Sequence, residues 1–150
     1  MAYETTEVAV SKSQESIRKL IYGHRGTGLM LLSQHPREGF EAMITMQEMA
    51  YHIRVMATAK PVLKDKWGYG LSATKQAANT EQENRRVWRV LYWHLKAIFE
   101  AADSGVIDIR DVIMPYVVLR DGMTLSDHIK PQMAQLMTTD PSRLLTGGVQ

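Results

Sequence analysis

The sequence predicts an α+β fold: an N-terminal helix, a three-stranded antiparallel meander, a long central helix packed on the sheet, and short C-terminal helices. Three observations carry this prediction. Apolar residues alternate with others over Phe40 to Met46 and again over Tyr51 to Ala57, the two-residue repeat of half-buried strands. From about Ala73 to Asp103 neither glycine nor proline intervenes, and Val87, Trp88, Leu91, Leu95, Ile98, Phe99 and Ala102 recur at three- and four-residue steps. Turn-forming residues separate these blocks.

Each element has its own justification. Ser11 or Ser13 is expected to cap the first helix, with Ser11 and Gln14 at capping-box spacing. Ile17, Leu20 and Ile21 then form its apolar side, and Gly23 and Gly26 bracket its end. Leu29-Met30-Leu31-Leu32 is a short apolar strand, followed by turn material from His35 to Gly39. In the next two strands Phe40, Ala42, Ile44, Met46 and then Tyr51, Ile53, Val55, Ala57 share one face, which leaves His52 and Arg54 on the other. Residues 58–72 read as a loop, because Pro61, Gly68 and Gly70 deny regular structure. Ser104-Gly105 ends the long helix, and Asp108 caps a short helix that Pro115 stops. Tyr116 to Leu119 is extended, and Asp121-Gly122 marks a tight turn. Thr124 or Ser126 caps a last helix holding Leu125, Ile129, Met133 and Leu136, in which Pro131 is awkward. All 150 residues belong to a single domain, with 1–9 and 138–150 expected to be loose tails.

Composition narrows the chemistry. The chain has no cysteine, which excludes disulfides, cysteine nucleophiles and thiolate zinc sites. No stretch of eighteen apolar residues exists, and the acidic, polar start is unlike a leader peptide, so a cytoplasmic protein is expected. Formal net charge is +2, unevenly spread. Between Arg54 and Lys96, nine basic residues face three acids, +6, while the remainder holds nine basic and thirteen acidic residues, −4. This distribution predicts one positive face.

Enzymology finds thin support. The five histidines (His24, His35, His52, His94, His128) are scattered, with no pair at metal-ligand spacing. The glycine-rich segment Gly23 to Gly28 could cradle an anion, but it follows a helix and lacks the Lys-Ser/Thr ending of a phosphate loop, so it reads as a turn. No catalytic constellation, cofactor motif or metal site is found. The basic residues point instead to anion binding. Lys60, Lys64 and Lys66 share the 58–72 loop with Trp67 and Tyr69. Arg85, Arg86, Arg89 and Lys96 lie largely off the apolar stripe of the long helix, and Arg54 sits on the strand leading in. Clustered Arg and Lys bind phosphates, and aromatic faces stack bases, which is the combination that single-stranded nucleic acid requires. The same residues could line a pocket for a small phosphorylated ligand. The methionines Met43, Met46, Met49 and Met56 would alternatively suit an adaptable protein–protein contact, as in an inhibitor.

Several segments together resemble a known family. These are Val10-Ser11-Lys12-Ser13 leading to Ile17 and Gly23; Arg86-Val87-Trp88-Arg89-Val90-Leu91 with Lys96-Ala97, Glu100-Ala101 and Ser104-Gly105-Val106; and Val118-Leu119 with Asp121-Gly122-Met123-Thr124. Over residues 5–130 they resemble an uncharacterised family of small proteins encoded by bacteriophages and prophages. There a lysine-serine start precedes the first helix, an R-x-R-W-R-x-L segment runs into K-A-x-L-E-A-V-x-S-G, and an L-P-D-G turn follows. Trp93-His94 stand where that family has aliphatic residues, and Arg120 where it has proline. The resemblance implies a phage-type auxiliary protein in the host bacterial cytoplasm, engaged in nucleic-acid handling or interference with host defence, by analogy alone. A homo-oligomer formed through a sheet edge or the long helix is the expected assembly.

Overall fold

A computed structural model describes residues 3, 5–138 and 140. Helix α1, Val10–Gly23, begins earlier than a cap at Ser11 or Ser13 would place it: Ala9 is its N-cap and no side chain caps it. Ser13 is fully buried, because it shares the inward side with Ile17 and Ile21 at four-residue spacing. At the other end Arg25, not a glycine, takes the left-handed conformation, at φ 58°. Gly26 serves close approach instead. Its N–H donates to the Ile21 carbonyl at 2.8 Å, and a Cβ there would lie 2.3 Å from Ile21 Cγ2.

Strands β1 (Gly28–Gln34), β2 (Arg37–Met46) and β3 (Met49–Thr58) pair antiparallel in the order β1-β2-β3. The expected turn at 35–39 shrinks to His35-Pro36, since Arg37, Glu38 and Gly39 already pair with β1 and β3. Gly39 is pressed against β3: a Cβ would come within 2.1 Å of the Val55 carbonyl oxygen. The two faces divide as the alternation predicts. Phe40, Ala42, Ile44, Ile53 and Val55 are buried together with Ile17 and Ile21 of α1. On the outer face His52 Nε2 lies 3.0 Å from Glu41 Oε2, and Arg54 pairs with the same carboxylate.

Helix α2, Ala73–Asp103, covers the inner face of the sheet beside α1. Ser72 caps it by accepting from the Lys75 N–H at 3.3 Å, and Gly105 at φ 70° turns the chain away. Its buried residues are the seven that the periodicity marks, from Val87 to Ala102. Trp88, Phe40, Phe99 and Leu95 are almost wholly enclosed, and each side chain of this size contributes about 1.5–3 kcal/mol of burial free energy. Ile98 and Ala102 extend the core toward Ile109 and Ile113.

The C-terminal arm closes the β3 side. Helix α3, Ile109–Ile113, is capped by Asp108, and Pro115 sits in the following 3-10 turn. A hydrogen bond between the Tyr116 hydroxyl and His94 Nε2, 2.6 Å, docks the arm on α2. Burial pushes His94 down and Tyr116 up, so both are neutral near pH 7. Val117 bridges Ile53, the Val118 N–H donates to the His52 carbonyl at 2.8 Å, and Arg54 Nη1 donates to the Gly122 carbonyl at 2.9 Å. Thr124 caps α4, Leu125–Ile129, in a reciprocal box with Asp127. The expected single last helix is broken: Pro131, lacking an N–H, opens a 3-10 turn before α5, Met133–Leu136. In the N-terminal tail, Gln82 Nε2 donates to the Thr6 carbonyl at 3.0 Å. The C-terminal tail expected from Thr138 lies, apart from Thr138 and Asp140, outside the described residues.

Candidate nucleic-acid interface

The segment between β3 and α2 holds no helix or strand, as its proline and glycines predict, but hydrogen bonds tie it together. Lys64 bridges Gly70, the Asp65 N–H donates to the Tyr69 carbonyl at 2.8 Å, and the Leu71 N–H donates to the Leu63 carbonyl at 2.9 Å. A small hairpin therefore runs over 63–71. Asp65 organises its tip: Oδ1 accepts from the N–H groups of Trp67 at 2.8 Å and Tyr69 at 3.0 Å. Gly68, at φ 87°, permits the turn. The hairpin is lashed to the first turns of α2, where Asn79 Nδ2 donates to the Val62 carbonyl at 2.8 Å and Gln76 Nε2 to the Leu63 carbonyl at 3.2 Å.

This scaffold holds two aromatic rings in solvent. Trp67 is 73% exposed and Tyr69 74%. Lys66 Nζ rests 4.8 Å from the Trp67 ring centre. Lys60, Lys64 and Lys66 have no acidic partner among the described residues, nor does Lys75 in the first turn of α2, a cation the sequence reading left out of its site.

The other basic residues are differently placed. Arg85 is held by Glu81 at 2.8 Å and by Gln82, and Arg86 by Glu83 at 2.8 Å. The Arg86 hydrogen bond holds the Glu83 carboxyl below its ordinary range despite desolvation, helped by the Lys60 N–H at 3.1 Å. Arg54 is committed to Glu41 and Gly122 on the outer sheet face, across the sheet from α2, so the ten residues do not gather on one face. Arg89 and Lys96 instead flank aromatic rings. The Arg89 guanidinium lies 4.8 Å from Tyr92 and 5.4 Å from Trp93, and Lys96 Nζ lies 4.8 Å from Trp93 and 4.0 Å from Glu100 Oε1. Trp93 was missed as a site residue, although its place four after Arg89 and three before Lys96 was a legible signal.

Among the described residues no three His, Asp or Glu side chains converge as metal ligands. No helix of the described residues is long and apolar enough to cross a membrane. Compared with family models, with curated proteins and with solved structures, the chain matches none.

Proposed function

We propose that the chain is a non-catalytic nucleic-acid binder that takes single-stranded DNA on the 63–71 hairpin. One observation carries the reading: two aromatic rings, each nearly three-quarters exposed, stand on an ordered tip beside lysines with no acidic partner among the described residues. Exposing such rings costs burial free energy that folding alone would recover, and stacked bases are the partners that suit them. Lys60, Lys64, Lys66 and Lys75 neutralise phosphates, while Trp67 and Tyr69 stack bases. Arg89, Trp93 and Lys96 form a second aromatic-cationic patch along α2. Arg85, Arg86 and Arg54 act through structure, since acids already hold them. A phage-type auxiliary protein acting in a bacterial cytoplasm is the setting that the family resemblance adds to this proposal.

The test is fluorescence anisotropy of labelled single- and double-stranded oligonucleotides at low and moderate salt. Wild type should prefer single strands and weaken as salt rises, by about 0.7 in log K per log salt for each phosphate contact. Trp67→Ala should weaken binding by about 1–3 kcal/mol, roughly 5- to 150-fold, at unchanged thermal stability. Unchanged affinity in Trp67→Ala with Tyr69→Ala would sink the assignment.

A second reading rests on the outer sheet face. Adjoining cavities of about 550 and 150 Å³ share Arg37, Arg54, Met56 and Asp127, and Lys130 lines the smaller. Arg37 and Lys130 there suit a small phosphorylated ligand. A thermal shift with mononucleotides, absent in Arg37→Ala, would favour that reading.

A further inference from the structure

The two edges of the sheet are not alike. The β3 edge is occupied near its centre by the chain's own Val117 and Val118. The β1 edge is open: among the described residues every backbone pairing of Gly28–Gln34 is to β2, and no other hydrogen bond or ion pair engages these residues, although Leu29 and Leu31 pack on the core with one face. An open strand edge is a row of unpaired N–H and C=O groups, and folded proteins ordinarily blunt it with lysine, proline, a bulge or a covering element. β1 has none of these. Its sequence, Gly-Leu-Met-Leu-Leu-Ser-Gln, carries no charge and no proline. Its register against β2 advances one residue at a time from Gly28 opposite Met43 to Gln34 opposite Arg37, without a bulge. Met30 is 53% exposed, and Leu29, Leu31 and Leu32 are only half-buried.

We propose that β1 pairs antiparallel with β1 of a second copy, closing a two-fold dimer around a continuous six-stranded sheet. The strand is its own best complement. Antiparallel self-pairing joins two uncharged segments, so no charge is buried and no like charges are brought opposite each other within the pair. It also keeps faces matched: Leu29 and Leu31 of both copies meet on the helix side, Met30 and Leu32 on the outer side. Because the same patch serves both partners, assembly stops at two and leaves no free β1 edge for a filament. The proposal is independent of the nucleic-acid reading, since it rests on β1, which shares no residue with the hairpin.

Sedimentation equilibrium on the full chain, from low to high micromolar concentration, tests it. Wild type should shift toward twice the 17.0 kDa chain mass as concentration rises. Met30→Lys puts a charge on each edge strand at a side chain that is already more than half in solvent, and should remain monomeric with an unchanged circular dichroism spectrum. A monomeric wild type at every concentration overturns the proposal, leaving the edge to a strand of some other protein. A dimer that persists undiminished in Met30→Lys overturns it too, placing the interface elsewhere, as on the long helix. Should the variant misfold, hydrogen exchange of wild type decides: protection of the 28–34 amides should rise with protein concentration, and a concentration-independent rate overturns the pairing.

Discussion

Gln47 and Glu48 form the two-residue connection between β2 and β3, both at positive φ, 49° and 66°. Such hairpin turns favour Asn-Gly because side-chain-bearing residues are strained there. Glu48→Gly should therefore stabilise the chain by about 1 kcal/mol, read as a raised urea midpoint at unchanged slope. A neighbouring residue sets the response to acid. Desolvation raises Glu41 most strongly, but hydrogen bonds and charge from His52 and Arg54 together outweigh it and hold the carboxyl below 4.5. Because the unfolded chain then takes up this proton first, Glu41 contributes stability above about pH 4.5 that is lost as pH falls through the depressed value. The stability difference between wild type and Glu41→Gln should thus narrow as pH falls below about 4.5 in urea titrations. At this scale the sequence was under-read. Glu81 stands four residues before Arg85 and Glu83 three before Arg86, the spacing of helical ion pairs, yet a charge count over the whole block hides that pairing.

In the proposed function the hairpin over 63–71 is the element on which binding turns, and Asp65 supplies a test that separates order from charge. Its Oδ1 fixes the backbone under both Trp67 and Tyr69. Asp65→Ala removes an acid, so electrostatics alone predicts tighter DNA binding, whereas loss of the ordered tip predicts weaker. We expect weaker binding for Asp65→Ala and undiminished binding for Asp65→Asn, whose amide oxygen still accepts, with both melting close to wild type; anisotropy and thermal denaturation distinguish the cases. This element was illegible in the sequence for a physical reason. Its arms are too short for a periodic signal, and it is secured by Gln76 and Asn79, side chains of another element. α2 lies at the other extreme: an uninterrupted apolar stripe, a serine at its start and Ser104-Gly105 at its end define it locally. The meander was readable too, because alternation fixes which face is buried, while the shortened 35–36 turn depends on Gly39 meeting Val55 across the sheet.

For the whole molecule, dimerisation through β1 would join two hairpins, one following each β3 strand, through a single sheet. Their β3 strands would be five strand spacings apart, about 24 Å at ~4.8 Å each. A single strand must cover at least that span to engage both hairpins at once. Wild-type affinity should accordingly climb steeply once oligonucleotides exceed this length, and Met30→Lys should show only a shallow rise; a titration series over strand length measures the difference. The three tryptophans also lie in three distinct environments: Trp88 is 1% exposed, Trp93 38% and Trp67 73%. Buried indole emits to the blue and solvated indole to the red, so the chain's own emission divides by site. A collisional quencher such as iodide reaches Trp67 first, and a stacked base would shield it while leaving Trp88 unaffected. The hairpin thereby serves as an intrinsic optical probe, in which occupancy of the tip and integrity of the core are read at opposite ends of one spectrum.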